Sequence, residues 1–140
     1  LFVTAIIELA RVDASVAITM TAHTSLGCLP LLQLGNDEQK EKYLPKLASG
    51  EMLGAFGLTE PSAGSDSGAT KTTAVKDGDS YIVNGGKVFI TNVGEAGVLS
   101  FTSRIMDGDN FKGIGAFIIP TNTPGLEIAT KEKKNGMESQ

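Results

Sequence analysis

One cysteine, one histidine and no tryptophan leave this 140-residue chain without several chemistries. Cys28 has no second cysteine to pair with, so an intrachain disulfide and a multi-cysteine metal site are excluded. His23 stands alone, which rules out two-histidine metal motifs. Any Ser/His/Asp arrangement would depend on that one histidine, and no Gly-x-Ser-x-Gly elbow accompanies it. Asp107 and Asp109 read as turn residues, so no metal is expected. Basic residues are also few: 12 Lys and Arg against 16 Asp and Glu leave a net charge of −4. The only basic-leaning run, Lys131-Glu132-Lys133-Lys134, is explained by a solvated strand end, so nucleic acid is not expected as a partner. No uninterrupted apolar stretch reaches the roughly 18–20 residues of a membrane span. A reducing, cytoplasmic home without membrane contact is the expectation.

What is present divides near Gly50-Glu51, giving an expected helical segment at 1–50 and a β-rich domain at 51–140. Phe2, Ile6 and Leu9 follow a helical spacing, with Val3, Ile7 and Ala10 widening the apolar face. Asp13 or Ser15 caps a second helix through Val16, Met20 and Leu26 to Leu34, with a kink or restart at Pro30. Gly35 ends it, and Asn36 with Gln39 forms a capping box for a third helix from Asp37 to about Ala48. That helix is expected to bury Tyr43, Leu44 and Leu47, with Pro45 interrupting its last turn.

Beyond Gly50 the pattern alternates. Strands are expected at Thr70–Lys76, Tyr81–Val83, Val88–Ile90, Val98–Arg104, Ile114–Ile119 and Leu126–Thr130. Asp77-Gly78-Asp79 and Gly85-Gly86 serve as turns, and Met106–Asn110 as a hairpin tip. The fold class is therefore α+β: a helical N-terminal segment, then an antiparallel barrel or sandwich.

The loop Gly57-Leu58-Thr59-Glu60-Pro61-Ser62-Ala63-Gly64-Ser65-Asp66-Ser67-Gly68 follows the apolar run Leu53–Phe56. Its glycines and hydroxyls let backbone N–H groups approach a polar ligand, although such loops are also ordinary turns. Read on their own, Thr59 and Thr91 are equally ordinary strand threonines. Glu60 invites a role as a base, yet Glu60-Pro61 fixes a turn, and Asp66 reads as a loop-bracing acceptor. Neither a Gly-x-Gly-x-x-Gly strand-to-helix turn nor a Walker loop occurs, so a dinucleotide-binding fold is not expected.

Taken with Lys87-Val88-Phe89-Ile90-Thr91-Asn92 and His23-Thr24-Ser25-Leu26-Gly27, that loop resembles the acyl-CoA dehydrogenase family, nearest its short-chain, butyryl-CoA type. The resemblance runs through nearly the whole chain. It implies FAD as cofactor, with Phe56, Leu58 and Thr59 along the flavin pyrimidine side. Phe89, Ile90 and Thr91 then lie by one flavin face and N5, and Phe89 is a weak mark of the short-chain branch. Ser65 matches a position facing both the thioester's pantetheine region and the flavin's phosphate side. Thr19, Ala22 and Leu26 fall on a helix beside the acyl tail, where they help set pocket depth. Glu60 is structural in this reading.

The implied activity is oxidation of a short-chain acyl-CoA to the trans-2-enoyl-CoA, with electrons passing to an electron-transferring flavoprotein. The parent is expected to be a homotetramer. The family's catalytic glutamate falls in a C-terminal helical domain beyond Gln140. The chain therefore reads as a piece of a longer protein, inactive alone and prone to self-associate through Phe2, Ile6, Ile7 and Leu32. At the end, Glu138 stands where the family has arginine. A flavin-dependent hydroxylase or acyl-CoA oxidase on the same scaffold, and a non-catalytic β-domain that binds a protein, are the alternatives.

Overall fold

A computed structural model describes residues 1–129 together with Lys131, Glu132, Lys134 and Met137. The expectation concerning Glu138 lies outside the described residues. Four α-helices precede five strands: α1 Phe2–Val12, α2 Ala14–Ala22, α3 Leu29–Leu34 and α4 Asp37–Ser49, then β1 Leu53–Gly57, β2 Thr73–Asp77, β3 Ser80–Asn84, β4 Ala96–Asp107 and β5 Asn110–Pro120. The residues form two compact units, one of Leu1–Phe56, Thr91–Leu99 and the described residues from Ile119 onward, the other of Gly57–Ile90 and Ser100–Ile118.

In the first unit, local chemistry sets the helix ends. Asp13 caps α2, its carboxylate accepting from Ser15 N at 2.7 Å and Val16 N at 3.2 Å. Asn36 and Gln39 close the capping box of α4, at 2.8 and 3.0 Å. Gly50 ends α4 with φ 77, in the left-handed region. Pro45 does not interrupt the last turn as expected; α4 runs on to Ser49. Glu41, whose carbonyl loses its donor to the proline, is exposed and open to water. Tyr43 and Leu47 are buried and Leu44 is half-buried.

Between α2 and α3 the chain takes a π-helical turn, His23–Cys28, and Pro30 sits in the first turn of α3, where its missing N–H costs nothing. The continuous helical run Ala14–Leu34 is long and apolar enough, by length and composition only, to cross a membrane. Ser15, Thr19, Thr21, His23, Thr24 and Ser25 interrupt it, so it stays consistent with the absence of an uninterrupted apolar span.

The strand order is β1-β4-β2-β3, with β5 also pairing β4. β2 and β3 form an antiparallel hairpin, Thr73 opposite Asn84 and Asp77 opposite Ser80, around Gly78 at φ 57. β2 runs parallel to β4, with Thr73 opposite Arg104 and Val75 opposite Met106. The expected antiparallel sheet is thus a mixed one, and among the described residues it does not close into a barrel.

Two expected strands are absent. Val88–Ile90 is irregular because Phe89 takes φ 58, which breaks an extended run. Leu126–Ala129 is also irregular, Leu126 N donating to Thr123 O in a turn; Thr130 lies outside the described residues. Conversely, β1 arises from the apolar run Leu53–Gly57, with Gly54, Ala55 and Gly57 buried. Within the second unit Phe101 stacks on Phe117 at 5.7 Å between centroids, and Tyr81 meets Phe117 edge-on at 5.2 Å. Phe101, Ala74, Thr70 and Ser103 are all buried there.

Candidate functional site

The loop after β1 is built around one carboxylate. Glu60 N donates to Ala63 O at 2.9 Å and Ala63 N to Glu60 O at 3.1 Å, closing a tight turn over Pro61 and Ser62. The Glu60 side chain points inward, with only 4% of it exposed. Lys87 Nζ donates to it at 2.7 Å, Lys71 N at 2.7 Å and Thr72 N at 3.1 Å, and the Thr70 hydroxyl donates as well. Burial alone pushes the Glu60 carboxyl up, but the donors Lys87, Thr70, Thr72 and Lys71 N overcome it and hold it far below the usual carboxylate range. Such a carboxylate is a poor proton acceptor near neutral pH. Asp66 makes no side-chain cap to the following 3₁₀ turn; its backbone carbonyl accepts from Ala69 N at 3.2 Å.

Lys87 belongs to the quoted motif but carries no role in the sequence reading. Its ammonium also donates to Leu58 O at 3.1 Å and Thr70 Oγ1 at 3.1 Å, so its three protons match three acceptors. Thr70 and Thr72 were likewise missed. The available signal was a lysine placed directly before the apolar run Val88-Phe89-Ile90, which a purely solvated lysine does not require.

The site residues expected in this unit are Leu58, Thr59, Ser65, Phe89 and Ile90. Val88 N donates to Thr59 O at 2.9 Å, which brings the Thr59 loop and the Phe89 segment together. Leu58 and Phe89 are exposed, Phe89 to 77%, and Thr59 and Ile90 are half-buried. Ser65 is exposed on the loop, and no bond draws it toward the others.

In the other unit stand Thr19, Ala22, Leu26, Phe56 and Thr91. Ala22 is buried, Leu26 exposed, and Thr19, Phe56 and Thr91 half-buried. Asn92, with φ 69, donates from Nδ2 to Thr19 O at 3.1 Å, tying the turn that Thr91 opens to α2. His23 serves as a clamp. Gly54 N donates to its Nδ1 at 3.1 Å, so the ring proton sits on Nε2 and is given to Leu47 O at 3.0 Å. Cys28 Sγ lies 3.6 Å from the same Nε2, and burial pushes its thiol up. With both ring nitrogens engaged by backbone, His23 is not free to act as a base. Among the described residues no other side chain or backbone group hydrogen-bonds the hydroxyls of Thr59 or Thr91.

Residues 2–51 match the acyl-CoA dehydrogenase N-terminal domain, and residues 55–140 match the acyl-CoA dehydrogenase middle domain. A short-chain specific acyl-CoA dehydrogenase of Clostridium acetobutylicum is 44% identical over 138 residues, covering 99% of this chain and 36% of that protein. The solved butyryl-CoA dehydrogenase of Megasphaera elsdenii superposes with a TM-score of 0.88 at 45% identity, covering 96% of this chain and 36% of that one. A chain in the solved electron transferring flavoprotein structure of Acidaminococcus fermentans gives 0.86 at 46% identity, covering 93% and 34%. The chain thus spans about a third of the length of the relatives it matches.

Proposed function

The chain belongs to the acyl-CoA dehydrogenase family, and on that premise we propose that it forms the flavin-edge part of an FAD-dependent dehydrogenase of short-chain acyl-CoA thioesters. Its boundary between helical and β-rich domains is placed near Gly50-Glu51. One observation carries the flavin reading: Val88 N donates to Thr59 O at 2.9 Å, which sets the Thr59 loop beside the segment bearing the exposed Phe89. The Thr59 hydroxyl bonds no other group among the described residues and, being half-buried, is open to a ligand as it is to water. The pyrimidine edge of a flavin, rich in carbonyls and ring nitrogens, suits donors of that kind.

The remaining residues fit the same group. Leu58 and Phe89 expose apolar side chains, and Phe56 and Ile90 are half-buried beside them in sequence. Such surfaces cover an aromatic ring system and exclude water from it. Ser65, exposed on its loop, meets the pantetheine side of the thioester, and Thr19, Ala22 and Leu26 set the depth of the acyl pocket. In the proposed reaction a proton leaves the α-carbon and a hydride leaves the β-carbon of the acyl-CoA, giving the trans-2-enoyl-CoA. When bound, FAD supplies the acceptor for that hydride, and an electron-transferring flavoprotein then takes the electrons. Glu60 does not remove the proton, because its carboxylate is fully engaged by its donors. The parent assembles as a homotetramer and resides in the cytoplasm in this reading.

The test is made on the whole protein that carries this chain. It should be yellow, should quench flavin fluorescence saturably on titration of the apoprotein, and should lose its visible absorbance when butyryl-CoA is added without oxygen. Absence of saturable FAD binding would sink the proposal. Hydrogen peroxide formed in air, in place of reduction of an electron-transferring flavoprotein, would move the assignment to an oxidase.

A further inference from the structure

The Glu60–Lys87 ion pair joins two segments 27 residues apart. Its two side chains are only 4% and 8% exposed. Lys87 reaches three acceptors on two stretches, Leu58 O and Glu60 Oε1 in the loop after β1 and Thr70 Oγ1 on the way into β2, so that with its own segment it joins three. Gly57 makes room for this, since a Cβ there would stand 3.2 Å from both Lys87 Cγ and Phe101 Cβ. Gly85, at φ 148, lets the strand leading to Lys87 pass close to Thr72; a Cβ there would lie 2.7 Å from Thr72 Cα.

Two residues after Lys87 comes Phe89. Its backbone is left-handed and its ring is 77% exposed, so packing within this unit does not fix it. Its placement depends on the backbone anchors beside it: Lys87 with its three acceptors, and Val88 N bonded to Thr59 O.

We propose that Glu60 and Lys87 are positioning residues of the flavin site: their pairing locks the Leu58–Thr59 loop and the Val88–Ile90 segment into one register, so that the Thr59 hydroxyl and the Phe89 ring meet the flavin together. The proposal rests on the flavin reading given above. It also accounts for the use of an ion pair here, since a well-packed apolar pair often serves stability equally well but leaves the three stretches unlinked. Thr70 is the third member, donating to Glu60 and accepting from Lys87.

The experiment compares the apoprotein and FAD-loaded forms of the whole protein as wild type, Lys87→Met, the double variant Glu60→Gln/Lys87→Met, Thr70→Val and Thr59→Ala. Three quantities are read: the unfolding midpoint of the apoprotein, the dissociation constant for FAD, and the shape of the visible flavin band. Lys87→Met should weaken FAD binding at least tenfold and alter the band. The double variant, with no unpaired charge, should recover most of the apoprotein's midpoint while FAD binding stays at least tenfold weakened. That split separates positioning from a purely structural role. A double variant with wild-type FAD affinity and band overturns the proposal. Should either lysine variant fail to fold, Thr70→Val decides: a FAD affinity weakened about threefold or more supports the register lock, and an unchanged one refutes it. Failure of the flavin reading looks different, because then wild type itself binds no FAD, or Thr59→Ala leaves its affinity untouched.

Discussion

Gly27 and Gly54 meet backbone to backbone: a Cβ on Gly27 would lie 2.7 Å from the Gly54 carbonyl oxygen and 2.9 Å from its Cα. The π-helical turn reaches β1 only because both side chains are missing. Neither contact is with a flexible side chain, so the backbone itself would have to move. Gly27→Ala is expected to destabilise by about 1–3 kcal/mol, the usual cost of forced overpacking. Gly64→Ala, where nothing lies within 4 Å, should change stability by less than about 0.5 kcal/mol. Urea unfolding of the two variants side by side checks the contrast.

His23→Ala removes the acceptor of the Gly54 N–H and the donor to Leu47 O together. Leaving such groups unpaired costs about 1–3 kcal/mol. Stability should fall by that amount, while the dissociation constant for FAD stays within twofold of wild type. A large loss of FAD affinity at unchanged stability would give His23 a role at the site instead.

Acid should act on the protein through Glu60. Its folded-state carboxyl is held below its unfolded value, so its contribution is fully present above the unfolded pKa of about 4.3 and is lost as pH falls toward the folded value. Below about pH 4 the group should contribute a slope of up to roughly 1.4 kcal/mol per pH unit. Denaturant unfolding between pH 6 and 2 measures this. The Glu60→Gln/Lys87→Met variant should show a slope shallower by about one proton. Equal slopes would mean that Glu60 titrates alike in both states.

Hydroxyls with and without protein partners should behave in opposite ways. Thr59→Ala and Thr91→Ala remove groups that bond nothing among the described residues, so the apoprotein's unfolding midpoint should not move. Each should weaken FAD binding by about fivefold to tenfold, the worth of roughly 1–1.4 kcal/mol for one hydrogen bond. Thr70→Ala, stripping a donor from Glu60 and an acceptor from Lys87, should lower that midpoint. Fluorescence titration and thermal unfolding read the two effects separately.

Local features of this fold were legible in the residues. The Asp13 cap, the Asn36–Gln39 box and the Asp77-Gly78 turn depend on neighbours within about three positions, and each stands where the sequence puts it. The parallel pairing of β2 with β4 was not legible, because alternation shows which face a strand buries but not which strand lies beside it. Val88–Ile90 alternates like a strand, yet the positive φ of Phe89 leaves no mark in hydrophobic pattern. The same limit hid the centre of the site. Glu60 and Lys87 are 27 residues apart, and no local pattern pairs them. The roles of Thr59 and Thr91 rest on the resemblance, whereas the anchor of the Thr59 loop is a contact between residues distant in sequence.

Lys87 also settles a matter of reactivity. A protein that handles acyl thioesters works among acyl donors, and a free amine with a lone pair attacks them. The ammonium of Lys87 gives its protons to Leu58 O, Glu60 Oε1 and Thr70 Oγ1, and 92% of the side chain is shielded, its exposure being 8%. Those bonds and that burial leave little of its Nζ open to a reagent. Lys87 is expected to be acylated more slowly than the exposed lysines Lys46 and Lys112.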